Sequence, residues 1–499
     1  MLANMNWYKL LLIYKDIRVV RLLFLGMSSG LPILLIFSTL SLWLKSAGLD
    51  RSTITLFSWA GLAYAFKFLW APLIDRISIP YISSYLGHRR SWLFITQLII
   101  ILILITISFL DPVKNLLYLA VAISLLGLSS ANQDILIDAY RIESAPPNMQ
   151  NAMSASYIIG YRIGMILAGA GSLYFVSLAG GDQSNYIAKP WQTAYLLMAF
   201  FQCIGMVTVL LSPEPYAERK LIFSSKQRLS LIFAFGIALT GFITVFTYFP
   251  NINAQFQLYK YLLELVKLIL SVFIFILLFW VTVKIKIISY KLIDETFYAP
   301  FKNFIFKYGK FAVTLIALIT CYRIADVVMG VIANLFYVDM GYSLKEIAAY
   351  SKVWGLLATI IGGLIGGLVA FKIGVNITLL IGAILAASSN LLFAFLSSID
   401  PNAIILISVI TADNLSAGLA STAFVAFLGS LTNIKFTATQ FALFTSIMLF
   451  IPKLLSGYAG SIVDNFGYQS FFVITAILGI PAIIINIYLI KVTNKNVIK

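Results

Sequence analysis

The stretch "APLIDRISIPYISSYLGHRRSW" (Ala71 to Trp92) lies between two long apolar runs, approximately residues 52 to 72 and 91 to 110. It carries Asp75 followed by Arg76, then Gly87 ahead of His88, Arg89 and Arg90. Apolar runs of about 20 residues cross a hydrocarbon core as helices, so this stretch reads as a basic loop joining two spans on one face of a membrane. The same reading extends in both directions. Six spans run approximately 21 to 44, 52 to 72, 91 to 110, 115 to 139, 151 to 178 and 190 to 212. Two more, 229 to 249 and 261 to 283, lie between basic linkers, and six follow: 309 to 338, 343 to 370, 373 to 397, 402 to 431, 435 to 463 and 466 to 490. The expectation is an all-α membrane protein with 14 transmembrane helices: an N-terminal six-helix bundle (1–212), a linker with two extra helices (213–308) and a C-terminal six-helix bundle (309–499). The first span is too long for the h-region of a cleaved signal peptide, so the amino terminus is expected to stay attached.

Of the 499 residues, 61% are hydrophobic and 11% charged, which excludes a soluble globular protein and a disordered one. Two cysteines, Cys203 and Cys321, lie far apart in apolar runs and read as packing residues. His88 is the one histidine, and its place in the basic loop reads as a solvated stand-in for an arginine. That inventory supports no His/Cys metal site and no cofactor, and it leaves deep serines and cysteines without a histidine base. An enzyme is therefore not expected. The glycine runs lack the Gly-Lys-Ser/Thr ending of a phosphate loop.

The formal charge of +16 is topological rather than a nucleic-acid signal. With a cytoplasmic amino terminus, that side collects 23 Lys and Arg and the other side six, which places both termini in the cytoplasm. The two sets of six spans share punctuation. Gly48 stands six residues before Ile54 and Gly341 six before Ile347, and "GLVAFKIG" (Gly367 to Gly374) repeats the frame of the opening stretch with Phe371 in place of the acid. Two parallel halves of six helices are the sequence form of the major facilitator fold. Small residues recur every fourth position at Ser156, Gly160, Gly164, Ala168 and Ser172, and again at Ala358, Gly362, Gly366 and Ala370. Such stripes let helices approach closely, and they are expected to form a sliding contact between the halves.

Charges at bilayer depth cost about 2.5–3.5 kcal/mol each on insertion scales, so each asks for a role. They are Lys67, Asp134, Asp138, Arg162, Arg323, Asp326, Lys352, Asp413 and Lys453. All fall on spans that wall the central cavity in the facilitator fold. Asp138 is expected to pair with Arg89 or Arg90 as a lock on the inward gate, Asp75 to be a gate residue, and Arg323 with Asp326 to neutralise one another. Lys67 has the alternative of snorkelling to the surface. Glu264 and Lys267 read as an anchoring pair.

"FLGMSSGLPILLIFSTLSLWLKSAGLD" (Phe24 to Asp50), "FKFLWAPLIDR" (Phe66 to Arg76), "LGHRRSWLFITQ" (Leu86 to Gln97), "ANQDILIDAYRIE" (Ala131 to Glu143) and "GYRIGMILAGAGSL" (Gly160 to Leu173) resemble the AmpG-type muropeptide permeases of the major facilitator superfamily. The resemblance is dense over residues 20 to 175 and thin in the second half, where "KLLSGYAGSIVDNFGY" (Lys453 to Tyr468) is the best echo. His88 and the loop "ISIPYISSYL" depart from the family signature. The resemblance implies proton-driven import of anhydro-muropeptides across a bacterial inner membrane. It assigns Lys67, Asp75, Asp134, Asp138, Arg141, Glu143 and Arg162 to family motif positions. A gate of Asp75, Arg76, Arg89, Arg90, Asp138, Arg141 and Glu143 is expected.

The deep cations Lys67, Arg162, Arg323, Lys352 and Lys453 outnumber the deep acids Asp134, Asp326 and Asp413, which favours an anionic glycopeptide. Tyr64, Tyr161, Tyr322 and Trp354 are candidates to stack on sugar rings, with packing as the favoured alternative for any one of them. A coupling group must gain and lose a proton between two facing states, which suits a desolvated carboxylate; Asp134 and Asp413 are the candidates. Other readings are a facilitator for another organic anion, such as a coenzyme A thioester, and a transport-inactive signalling or scaffold relative.

Overall fold

The computed structural model describes residues 12–49, 53–54, 57–180, 186–216, 224–249, 257–342, 344–456 and 459–494. It is helical throughout. Among the described residues twelve helices are long and apolar enough to cross a membrane. In chain order they belong to the set α1 (Ile17–Ser46), α3 (His88–Ile107), α4 (Leu116–Glu143), α5 (Pro147–Leu178), α6 (Ala188–Leu211) and α7 (Ser225–Tyr248). The second half supplies α9 (Phe311–Asp339), α10 (Ala349–Ile373), α11 (Val375–Leu396), α12 (Ala403–Leu431), α13 (Thr437–Ser456) and α14 (Ile462–Val492). The remaining two expected spans take another form. The second is α2, a run of short helical turns over 57–76 in which Pro72 opens the last segment. The eighth, α8 (Gln257–Lys284), has only the shorter apolar stretch Ile269–Lys284. The expected count of fourteen is therefore not reproduced by length and apolarity alone.

The repeat read from the glycines reappears in the backbone. Gly48 and Gly341 have φ of 80° and 88°, and Gly87 and Gly374, which open α3 and α11, have φ of 84° and 90°. Side chains rarely adopt that region, so glycine persists in the second half although the acid there has become Phe371.

The small-residue stripes do a different job from the one expected. A Cβ on Gly160 or Gly164 would run into the backbone of Leu23 or Met27 on α1, and one on Gly362 or Gly366 into the backbone of Leu415 or Leu419 on α12. Both stripes therefore bring helices together inside one half, because backbones can touch only where no side chain intervenes. The close approach across the halves is made by the neighbouring Gly367, which meets Ala155 of α5 and the Tyr14 hydroxyl.

Contacts between the halves gather at the end that carries Arg76, Arg89, Arg90, Arg141 and Lys435, here the basic end. There α13 packs on α2 and α4, and α5 packs on α10. Tyr14 adds a hydrogen bond, donating to the Leu364 carbonyl at 3.3 Å.

Candidate gate and central charge cluster

Helix α13 begins with backbone N–H groups that have no partner in the helix, and its dipole favours an anion there. The anion comes from the other half. Asp75, 1% exposed at the end of α2, accepts hydrogen bonds from the backbone N of Ala438 (3.3 Å) and Thr439 (2.8 Å) and from the Thr439 hydroxyl (2.7 Å). Its other partner is Arg89, whose Nη2 lies 2.5 Å away. Arg89 is fully buried and also grips Glu143 of α4, through Nη2 at 2.8 Å and Nε at 3.1 and 3.2 Å. One buried arginine thus ties α2, α3 and α4 to the carboxylate that caps α13.

The rest of the gate is arranged around this core. Glu214 accepts from the backbone N of Arg89 (2.8 Å) and Arg90 (3.0 Å), capping α3. Arg90 donates to the last carbonyls of α6, Val209 at 3.1 Å and Leu210 at 2.8 Å. Arg76 pairs at 2.6 Å with Glu295, which lies in the linker between α8 and α9. Arg141 donates to Ser154 (2.9 Å), and its guanidinium lies 5.3 Å from the Phe441 ring centre on α13.

Two expectations at this end are corrected. Asp138 does not pair with Arg89 or Arg90. Those side chains are taken by acids and helix carbonyls, and Asp138 instead faces Arg141 of its own helix at 3.5 Å, an ion pair without a hydrogen bond. His88 is not solvated: it is 5% exposed, with Nε2 lying 2.8 Å from the Ile74 carbonyl.

Further into the bundle, Asp134 accepts a hydrogen bond from Ser29 of α1, and the Ser29 hydroxyl also lies 3.3 Å from that of Tyr157. Lys67 is 6% exposed, so it does not snorkel; its charge acts on both Asp134 and Asp138. The α2 turn carrying it points into the bundle, where two acids await it. Arg162 of α5 is half-buried and feels the charges of Arg323 and Asp326 across the two halves. Arg323 and Asp326 pair at 3.0 Å, and Arg323 also donates to Ser421 at 2.7 Å. Asp413 accepts from Ser389 at 3.0 Å and lies within electrostatic reach of Asp326.

The aromatic candidates divide. Tyr322 is buried, stacks on Phe424 with ring centres 4.4 Å apart and donates to the Leu379 carbonyl, so it is a packing residue. Tyr64 is also buried and donates to Ser130 at 2.8 Å. Tyr161 is half-buried beside Tyr157, and Trp354 is 44% exposed with its Nε1 on Thr411. The side chains of Lys352, Lys453 and Glu264 lie outside the described residues. Lys267, expected to pair with Glu264, lies 4.4 Å from the Phe246 ring centre.

Residues 22–344 match the model of the Major Facilitator Superfamily. The chain belongs to the major facilitator superfamily. Within it, the chain is 33% identical to "Putative transporter AmpG 4" of Rickettsia felis, over 97% of this chain and 99% of that protein. It is 28% identical to the "Anhydromuropeptide permease" of Escherichia coli K12, over 95% of this chain and 80% of that protein. Among solved structures, the proton:xylose symporter XylE matches with TM-score 0.58 at 13% identity, covering 96% of this chain and 95% of that one. FucP in its outward conformation matches with TM-score 0.59 at 12% identity, covering 94% and 97%. These two likenesses carry the fold alone. The family is one of transporters, not of enzymes.

In this facilitator the sequence reading missed several polar residues because they are uncharged or stand in the linker. Gln97, Gln133 and Gln202 are fully buried and converge on Ser28 of α1, with Nε2 to Oγ distances of 3.4, 2.9 and 2.7 Å. Each is an uncharged amide inside an apolar span, which charge patterning does not mark. Ser29, Glu214 and Glu295 carried no signal before the fold placed their partners.

Proposed function

We propose that this facilitator imports anhydro-muropeptides, the N-acetylglucosaminyl-anhydro-N-acetylmuramyl peptides of cell-wall turnover, across a bacterial inner membrane, with both termini cytoplasmic and the proton gradient as driving force. The observation that carries the reading is that partly buried charges stand on inner helices of both halves, Arg162 on α5 and the Arg323–Asp326 pair, 3.0 Å apart, on α9. A peptide carboxylate binding there would touch both halves at once, as alternating access requires. The AmpG names of the relatives supply the substrate class. The basic end is taken as cytoplasmic from the charge bias, so the Asp75 latch holds the inward gate shut.

Asp134 is the proposed proton carrier: it sits in the same bundle as Lys67, bonded to Ser29, where gain of a proton would release the lysine. Asp413 is the second candidate. Uptake of labelled anhydro-muropeptide into proteoliposomes, with and without an imposed pH gradient and beside competing anions, tests the whole reading. Asp134→Asn is expected to abolish gradient-driven accumulation while preserving exchange of substrate. Normal accumulation by that variant removes Asp134 from the mechanism, and indifference to muropeptide alongside uptake of another anion overturns the substrate assignment.

A further inference from the structure

The inserted helices leave a space that transport does not use. A cavity of about 710 Å³ lies between α7 and the outer faces of α2, α3 and α4. Phe66 of α2 closes one edge, packing edge-on against Phe242 and Phe246 of α7 with ring centres 4.9 and 5.8 Å away. Away from that edge α7 stands off the bundle. Along α7 the lining runs from Phe235 to Thr247, about 18 Å at the rise of a helix and parallel to it. No lining residue is charged. Its polar lining is confined to hydroxyls and one amide: Asn132 donates to Thr96 at 2.8 Å, Ser124 donates to the Ala120 carbonyl at 2.8 Å, and Ser129 and Thr247 complete the set.

We propose that this slot is a binding site for one acyl chain of a bilayer phospholipid, held between α7 and the helix that bears the gate. Its mouth is continuous with the lipid-facing surface: Ile99, Leu128 and Ile243 line it and are 42%, 45% and 52% exposed. At this depth the neighbouring phase is hydrocarbon, and an apolar cavity excludes water. The absence of charge from the lining selects the chain of a lipid rather than its headgroup. Seated there, the chain fills the gap between α7 and α2 and supports the helix that presents Lys67, Asp75 and Arg76.

The test uses the full-length protein in phosphatidylethanolamine–phosphatidylglycerol vesicles doped with a phospholipid carrying a diazirine at mid-chain. After photolysis, adducts mapped by mass spectrometry are expected on Ile99, Leu128 and Leu239 at several-fold higher yield than on Leu102 and Val121, which face outward at 53% and 51% exposure. Ser129→Trp, which fills the slot, and Ser124→Trp, at an exposed lining position, are each expected to lower the slot adducts and leave those on Leu102 and Val121 unchanged. Slot adducts no more abundant than outward ones, adducts insensitive to Ser124→Trp, or cross-linked dimers in their place would overturn the proposal.

Discussion

Replacing Asp75 by Asn tests the gate most directly, because it removes a charge while keeping the shape. Of the bonds Asp75 makes, those to Ala438 and Thr439 join the two halves; the ion pair with Arg89 is within one half and Arg89 keeps Glu143. Hydrogen bonds to a charged group contribute about 1.5–3 kcal/mol each after exchange with water. The two short bonds to Thr439 therefore hold the halves together by about 3–6 kcal/mol, the 3.3 Å contact to Ala438 adding little. Asparagine retains one neutral acceptor worth about 1 kcal/mol, so the loss is about 2–5 kcal/mol, at least roughly 30-fold in the ratio of closed to open basic ends. Spin labels at Tyr85 and Ile434, exposed at that end on opposite halves, report the distance by double electron–electron resonance once Cys203 and Cys321 are replaced. The expected result is a population at longer distance in Asp75→Asn, and a smaller one in Thr439→Ala. An unchanged distribution in a folded, monodisperse Asp75→Asn protein would refute the assignment of the latch.

Glu295→Gln weakens a pair of which Arg76 is 7% and Glu295 29% exposed, and a shift of about 1 kcal/mol toward the open basic end is expected with the same labels. Gly160→Leu places a side chain against the Leu23 backbone and is expected to abolish folding, read as loss of the monodisperse peak in size-exclusion chromatography. Gly367→Ala meets Ala155 and the Tyr14 hydroxyl between the halves, and is expected to leave folding intact while slowing interconversion of the two gate states. Gln202→Leu leaves Gln133 and Ser28 short of a buried partner, with an expected loss of about 1–3 kcal/mol seen as a lower unfolding temperature.

The stretch Ala71 to Trp92 was legible as a gate because its charges and glycine recur in a recognisable frame, and the glycines of both halves were legible as turns. The partners were not. Asp138 seemed the natural mate of Arg89 from its place near the end of α4, yet Arg89 belongs to Asp75 and Glu143, and α13 provides Asp75 with its remaining bonds. The stripes announced close helix contacts without saying which helix they meet. Tyr322 and Tyr64 are open in sequence to packing or to stacking on sugar rings, and their burial settles on packing, since sequence does not reveal which way a ring turns.

By itself the sequence determined that this chain lives in a bilayer, and it led to the expectation of two related halves with charged groups on their inner helices. Those properties follow from the cost of exposing polar groups to hydrocarbon, which acts residue by residue and is written in composition and spacing. The tertiary structure alone decided that Asp75 caps a helix some 360 residues away, that Arg89 joins Asp75 to Glu143, and that α7 leaves a slot beside the bundle. Such pairings depend on helix rotation and depth, and a turn of about 100° per residue moves a side chain from lipid to core without altering the hydrophobic count.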